Sequence, residues 1–288
     1  MQNCSKNIAL KWSSPHSRKL PTSTDTPIVM GVLNVSLDSF SDGGKYLEIE
    51  SALAHCQQMI LGGAEIIDIG AESTKPTATP ILAEDELSLL LPRLKEIRNA
   101  FPDIAISIDS YKPEVARIAI ENGGDIINDV QTKCEDGICK MAKLASTLGC
   151  PMIATHNSRN ENFVGDFFEN LKDGICKRVQ CLKNSGLSEN QIVVDAGVGF
   201  GKTRDENFEI VARLHELRCL GLPILLGVSR KSMFADFTGD NMLLRDFATA
   251  TISSIATLSR SADILRVHNV DATIASIKTT NEILKWTK

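Results

Sequence analysis

Polar side chains recur at one kind of place in this chain: directly after a short, β-branched, apolar run. Asn34, Asp109, Asn128, Asp195, Arg266 and His268 stand there, as do Thr155-His156-Asn157 and Ser229-Arg230-Lys231. Their types divide into two chemistries. Asp109, Asn128 and Asp195 are acceptors or mixed donor–acceptors. Such a set suits a flat, nitrogen-rich heterocycle, because a carboxylate can accept two parallel bonds from an aminopyrimidine edge as it does from a guanidinium. Lys231, Arg266 and His268 supply positive charge and N–H donors, which suit a phosphate. Asn34 can join that anion site or, through its carbonyl oxygen, ligate Mg2+. The implied ligand has a heterocyclic head and an anionic, phosphorylated tail.

The elements that must position these groups follow from the hydropathy rhythm. Residues 1–26 are polar, with Pro15, Pro21 and a Ser/Thr-rich stretch from Thr22 to Thr26, and read as an N-terminal extension, either a short hairpin or partly disordered. After it, strands are expected over 28–33, 65–69, 104–108, 125–127, 152–154, 192–194, 224–226 and 264–267. Helices are expected over 49–61, 84–99, from Pro113, and over 137–148, 168–183, 206–219, 247–258 and 272–286. Leu87, Leu90, Leu91, Leu94 and Ile97 share one helical face. Pro113 suits a first helical turn, where its missing N–H has no helical partner.

Eight β–α units in one chain of 288 residues predict an α/β fold, a single (β/α)8 TIM barrel over 27–288. The alternative, an open doubly wound sheet, often carries a Gly-rich first turn, and here that turn is Asn34-Val35-Ser36-Leu37-Asp38-Ser39. A barrel builds its site at the C-terminal ends of its strands, with phosphate often bound at strands seven and eight. Those two strands lead into Lys231, Arg266 and His268, and strand one brings Asn34 beside them.

Composition narrows the partners. A net charge of −5 and 5% aromatics argue against a nucleic-acid face and against stacking platforms for single strands. No apolar run approaches the roughly 20 residues of a bilayer span, so no membrane is expected. No signal peptide is legible, so the chain reads as cytoplasmic with its thiols reduced. Cys134/Cys139 and Cys176/Cys181 have C-x4-C spacing, yet they read as small buried side chains rather than zinc ligands.

The rim residues sit in motifs that resemble those of the dihydropteroate synthases. The run 30–44, Met-Gly-Val-Leu-Asn-Val-Ser-Leu-Asp-Ser-Phe-Ser-Asp-Gly-Gly, resembles the first signature of that family, and 63–76, Gly-Ala-Glu-Ile-Ile-Asp-Ile-Gly-Ala-Glu-Ser-Thr-Lys-Pro, its second. Ser107-Ile108-Asp109-Ser110, Ile127-Asn128-Asp129-Val130, Asp195 to Lys202, Ser229 to Ser232 and Arg266-Val267-His268 follow in family order. The resemblance implies a pterin-binding barrel that joins 6-hydroxymethyl-7,8-dihydropterin diphosphate to 4-aminobenzoate with release of diphosphate, is inhibited by sulfonamides and forms a homodimer. Carried over, it implies that Asp109, Asn128, Asp195 and Lys231 hold the pterin, with Phe200 and Ser229 shaping the pocket. Asn34, Arg266 and His268 would hold diphosphate with Mg2+, and Thr74 and Lys75 would cover the aminobenzoate side. Asp109, Lys231, Arg266 and His268 would carry the catalysis, by dissociative substitution without a covalent enzyme intermediate.

The chain departs from the family pattern at several positions. Leu37 stands where Pro is usual, Lys75 for Arg, Ala196 for Pro, Asn269 for Asp and Thr155 for Met. Three rival readings remain. Ala196 to Thr203 nearly spells a phosphate-binding P-loop, with Ala196 in place of its first glycine. A pterin barrel could instead transfer a methyl group from methyltetrahydrofolate to a corrinoid protein, although Lys231 and the Arg266–His268 pair favour a diphosphate leaving group. A homologue could also bind pterin without turnover.

Overall fold

The computed structural model describes residues 10–23, 25–36, 48–73, 78–159 and 165–287. Eight parallel strands close into a barrel in chain order. They are β1 (Ile28–Asn34), β2 (Ile66–Gly70), β3 (Ala105–Asp109), β4 (Ile126–Asp129), β5 (Met152–Thr155), β6 (Ile192–Asp195), β7 (Ile224–Leu226) and β8 (Ile264–Val267). The helices outside are α1 (Ile49–Gly62), α2 (Ala83–Ala100), α3 (Pro113–Glu121), α4 (Lys140–Leu148), α5 (Phe167–Asn184), α6 (Arg204–Arg213), α7 (Ala235–Thr238), α8 (Met242–Leu258) and α9 (Val270–Leu284). This is the TIM barrel that the rhythm predicts.

Two expectations change. The helix expected over 206–219 is α6 followed by a tighter 3-10 segment, Leu214–Leu220, which ends at Gly221 with φ of 69°. The connection from β7 to α8 holds a 3-10 turn (Ser232–Phe234) and the four-residue α7, both too short to carry a readable period.

The two faces of the sheet form two separate apolar clusters. Outward residues such as Val29, Ile67, Ile106, Ile127, Val194 and Leu265 pack with the helices. Inward residues Met30, Ile66, Ala105, Ile126, Ile153, Val193, Leu225 and Ile264 fill the lower barrel, and Leu10, Trp12 and Leu20 close its floor. Both faces are buried, which is why the strands read as near-continuous apolar runs.

Side chains alternate with a period of two along a strand. The inward rows therefore continue upward from Ile66 to Asp68, from Ala105 through Ser107 to Asp109, and from Ile126 to Asn128. They continue likewise from Ile153 to Thr155, from Val193 to Asp195 and from Ile264 to Arg266. Register agrees: Asp68 pairs with Ser107, Asp109 with Asn128 and Thr155 with Asp195. Six of the eight strands thus supply core at their start and chemistry at their end.

The floor is pinned by two fully buried carboxylates that precede β4 and β8. Asp125 accepts from Ser14 Oγ (2.6 Å), Arg18 Nε (2.9 Å), Arg98 Nη2 (2.7 Å) and the Ile106 amide (3.0 Å). Asp263 pairs with Arg218 and accepts from the Ile224 amide at 2.7 Å. Two of those donors, Ser14 and Arg18, belong to the N-terminal segment, which lies at the end of the barrel away from the rim.

The thiols are not all reduced. Cys134, in the loop after β4, is joined to Cys181 on α5, with Cα atoms 6.6 Å apart. Neither C-x4-C pair meets. The other described cysteines are free, Cys56, Cys139 and Cys150 buried and Cys176 and Cys219 exposed.

Candidate active site

Arg266, at the end of β8, spans two acids. Its Nε donates to Asp68 Oδ2 and its Nη2 to Asp109 Oδ2, both at 2.6 Å. Asp68 is fully buried and also accepts from Asn128 Nδ2 at 3.2 Å. It fixes both neighbours, and leaves the Asn128 carbonyl oxygen as the group that side chain can offer a ligand. The sequence signal for Asp68 is an acid on the inward row of an otherwise apolar strand. In this structure it orients its neighbours.

Burial raises the Asp109 carboxyl to about 7, against the pull of Arg266, and nearby Asp68 raises it further. Burial also raises Asp195, while Lys231 lowers it. Asp195 Oδ1 accepts from the Gly197 amide at 2.7 Å. Lys231 is lowered to about 8 by burial, which Asp195 opposes. Its Nζ donates to Val198 O and lies 4.8 Å from the centre of the Phe200 ring, whose other neighbour is Arg159 at 5.3 Å. Phe200, Lys231 and Asp195 therefore form one wall, and Asp68, Asp109, Asn128 and Arg266 the other.

His268 is held well below the usual imidazole range by burial and by Arg230 and Arg266. It is neutral near pH 7 and so adds no charge to the anion side, contrary to expectation. Ser229 Oγ accepts from the His268 amide at 3.0 Å and lies 2.9 Å from its Nδ1. Ser229, expected to shape the heterocycle pocket, orients His268 here.

Arg230 is an ion-pair partner. Its Nε and Nη2 meet the two oxygens of Asp246 at 2.7 and 3.0 Å, and its backbone is left-handed with φ of 58°. Asp246, nearly buried on α8, also accepts from Asn269 Nδ2 at 3.1 Å. One acid thus ties the Lys231 loop to the start of α9. His55 lines a polar cleft with Gln58, Arg230, His268, Asn269 and Asp271.

Asn34 ends β1 half-buried at the rim. Thr74 and Lys75 lie outside the described residues, as does Leu37. Among the described residues no group of three or more His, Cys, Asp or Glu is arranged to hold a metal. The P-loop reading fails on geometry. Lys202 Nζ donates to His156 O (2.8 Å) and Phe200 O (3.1 Å), and the Gly197 and Gly199 amides donate to Asp195 and Asn207. A side chain at Gly197 would place its Cβ 2.0 Å from His156 O, so the glycine there serves close packing of two loops.

Known proteins share this sequence and this barrel. The family described as "Pterin binding enzyme" matches residues 30–268. A dihydropteroate synthase of Streptococcus pyogenes is 42% identical over 246 residues, 85% of this chain and 91% of the relative. A Xanthomonas albilineans dihydropteroate synthase with 4-aminobenzoic acid superposes with a TM-score of 0.84 at 31% identity, covering 96% of this chain and 98% of that one. A Coxiella burnetii dihydropteroate synthase in complex with pteroic acid has the same TM-score, 0.84, at 32% identity and the same coverage, 96% and 98%.

Proposed function

We infer how this rim works from the premise that the chain belongs to the pterin-binding enzyme family, among its dihydropteroate synthases: it is a transferase of folate biosynthesis that condenses 6-hydroxymethyl-7,8-dihydropterin diphosphate with 4-aminobenzoate, giving 7,8-dihydropteroate and diphosphate. The observation that carries the residue roles is the inward rim itself, which gathers Asp109, Asn128 and Asp195 with Lys231 and Arg266. Asp109, Asn128, Asp195 and Lys231 hold the pterin, and Phe200 lines it. Arg266, His268 and Asn34 take the diphosphate. Thr74 and Lys75 cover the aminobenzoate.

Diphosphate is already a good leaving group, so no protein nucleophile is needed. The methylene C–O bond breaks with its electron pair going to diphosphate, and positive charge spreads into the pterin. The aminobenzoate nitrogen then forms the new C–N bond and loses a proton. Asp109 and Asp195 stabilise the cation by fixed charge, and Arg266 stabilises the leaving anion.

Asn34 offers one neutral oxygen, and no acidic cage surrounds it among the described residues. That donor set fits a Mg2+ ion carried in by the diphosphate, with Asn34 as its protein ligand. When bound, the ion neutralises charge on the leaving group.

The same reading takes 27–288 as the catalytic barrel and 1–26 as an extension to it. It also implies a homodimer. Leu243, Phe247, Ile255 and Leu258 are exposed along α8 at helical spacing, a stripe that a second copy would cover. The reading places the chain in the cytoplasm. Five free thiols among the described cysteines suit a reducing compartment; the Cys134–Cys181 bond does not.

The test is diphosphate release from dihydropterin diphosphate with 4-aminobenzoate and Mg2+. Lys231→Ala should lower kcat/KM by about two to three orders of magnitude. Unchanged activity in that variant would remove Lys231 from the site, and pterin binding without release would mark a non-catalytic homologue. Methyl transfer to a corrinoid protein would support the other barrel chemistry.

A further inference from the structure

Outside the rim, one ammonium holds two acids from different elements. Lys112, in the turn after β3, donates through Nζ to Glu72 Oε2 and, at 2.5 Å, to Glu86 Oε2. Glu72 stands in the loop after β2, and Glu86, 1% exposed, in the first turn of α2. Tyr111 OH donates to Glu72 Oε1 at 2.7 Å, and the Ile81 amide donates to Glu72 Oε2 at 3.4 Å. Burial works against the Lys112 charge, but the hydrogen bonds to Glu72 and Glu86 raise its pKa above the ordinary lysine value. Burial and the bond to Glu72 push the Tyr111 hydroxyl up to about 12, so it stays a donor. Glu72 and Ile81 lie on either side of Thr74 and Lys75 in the chain, and this cluster fixes both. Asp109 ends the strand from which Tyr111 and Lys112 follow. Without Lys112, two largely buried carboxylates would be left with no shared counter-charge and would repel.

We propose that Lys112 is a positioning residue for the aminobenzoate side of the reaction: it holds Glu72 against the end of β3 and the start of α2, and so sets where the chain carrying Thr74 and Lys75 leaves the barrel relative to Asp109. This rests on reading Thr74 and Lys75 as covering the aminobenzoate. Lys112 itself touches no substrate. It acts by fixing how the arylamine approaches the methylene, and a small misplacement of a nucleophile costs orders of magnitude in rate. The pterin contacts at Asn128, Asp195 and Lys231 lie on other strands. Glu86 acts on Asp109 only as a lesser charge, after burial, Arg266 and Asp68, so pterin affinity changes little when the cluster is altered.

Lys112→Met removes the ammonium and keeps most of the side chain's length, and Lys112→Arg keeps the charge. At saturating pterin, the methionine variant should lose about tenfold or more in kcat/KM for 4-aminobenzoate. Calorimetric titration with 6-hydroxymethyl-7,8-dihydropterin diphosphate alone should give it an affinity within about threefold of the parent. The arginine variant should recover most of the loss. Tyr111→Phe deletes one hydrogen bond to Glu72 and leaves the ion pairs. It should lower the same kcat/KM about threefold, and it carries the test if Lys112→Met does not fold. An unchanged kcat/KM for 4-aminobenzoate in a folded variant would overturn the proposal. Pterin affinity falling as far as that kcat/KM would overturn it too, since the cluster would then only hold the barrel together. Equal loss in the arginine and methionine variants would do the same, because charge would not be what acts. A parent that binds pterin but releases no diphosphate would count against the catalytic reading alone. Titration of 4-aminobenzoate onto that pterin-loaded protein then supplies the comparison: weaker binding in Lys112→Met keeps Lys112 in its role, and equal binding removes it. A pterin-loaded parent that binds no 4-aminobenzoate would end both.

Discussion

Asp109 and Lys231 show how burial tunes a charge without removing it. The same desolvation lifts the carboxyl to about 7 and drops the ammonium to about 8, so both ionised forms coexist only in a narrow window. The carboxyl loses its charge as pH falls through its value, and the ammonium as pH rises through its own. A bell-shaped profile of kcat/KM for the pterin substrate is therefore expected, highest between about 7 and 8, with limbs belonging to the coupled set rather than to single residues. Asp109→Asn should lower activity and shift the enzyme's acid limb. Comparing it with the parent separates the carboxyl from the substrate's own diphosphate titration, and an identical acid limb in both would refute the assignment. At this scale the sequence revealed which groups face the rim. It did not reveal that His268 is neutral or that Asp68 holds Arg266, because both depend on groups brought close from distant strands.

The helix starts carry their own chemistry. Thr203 caps α6 in a reciprocal box, its hydroxyl accepting from the Glu206 amide while Glu206 accepts from its own. Thr203→Ala should cost about 1 kcal/mol in denaturant unfolding and leave KM values unchanged. Asn269 has a double duty that its family position, usually Asp, would not permit. Its Oδ1 caps α9 by accepting from Ala272, and its Nδ2 donates to Asp246. Asn269→Asp keeps the cap but sets two carboxylates together beside Arg230, so a loss of about 1–3 kcal/mol is expected. If the variant melts like the parent, the Asp246 link carries no weight. The eight strands were legible because both faces of each are buried. The 3-10 segment after α6, the short α7 and the early start of α8 were not, since a turn or two leaves no period to read.

The whole molecule separates stability from chemistry along the barrel axis. The floor holds Leu10, Trp12 and Leu20 over the lower inward layer, with Trp12 Nε1 donating to Pro21 O at 2.8 Å. Trp12→Ala should cost about 3–5 kcal/mol of unfolding free energy while pterin affinity stays at the parent value. A matching loss of affinity would show that floor and rim are coupled. By itself the sequence determined the barrel, the polar strand ends and the family, because strand burial and turn chemistry are local and repeat along the chain. Only the tertiary structure decided that residues 10–20 seal the floor, that Cys134 meets Cys181, and that Arg266 bridges β2 and β3. These are pairings between residues far apart in the chain, set by where barrel closure brings the strands and by charges that burial forces to find partners.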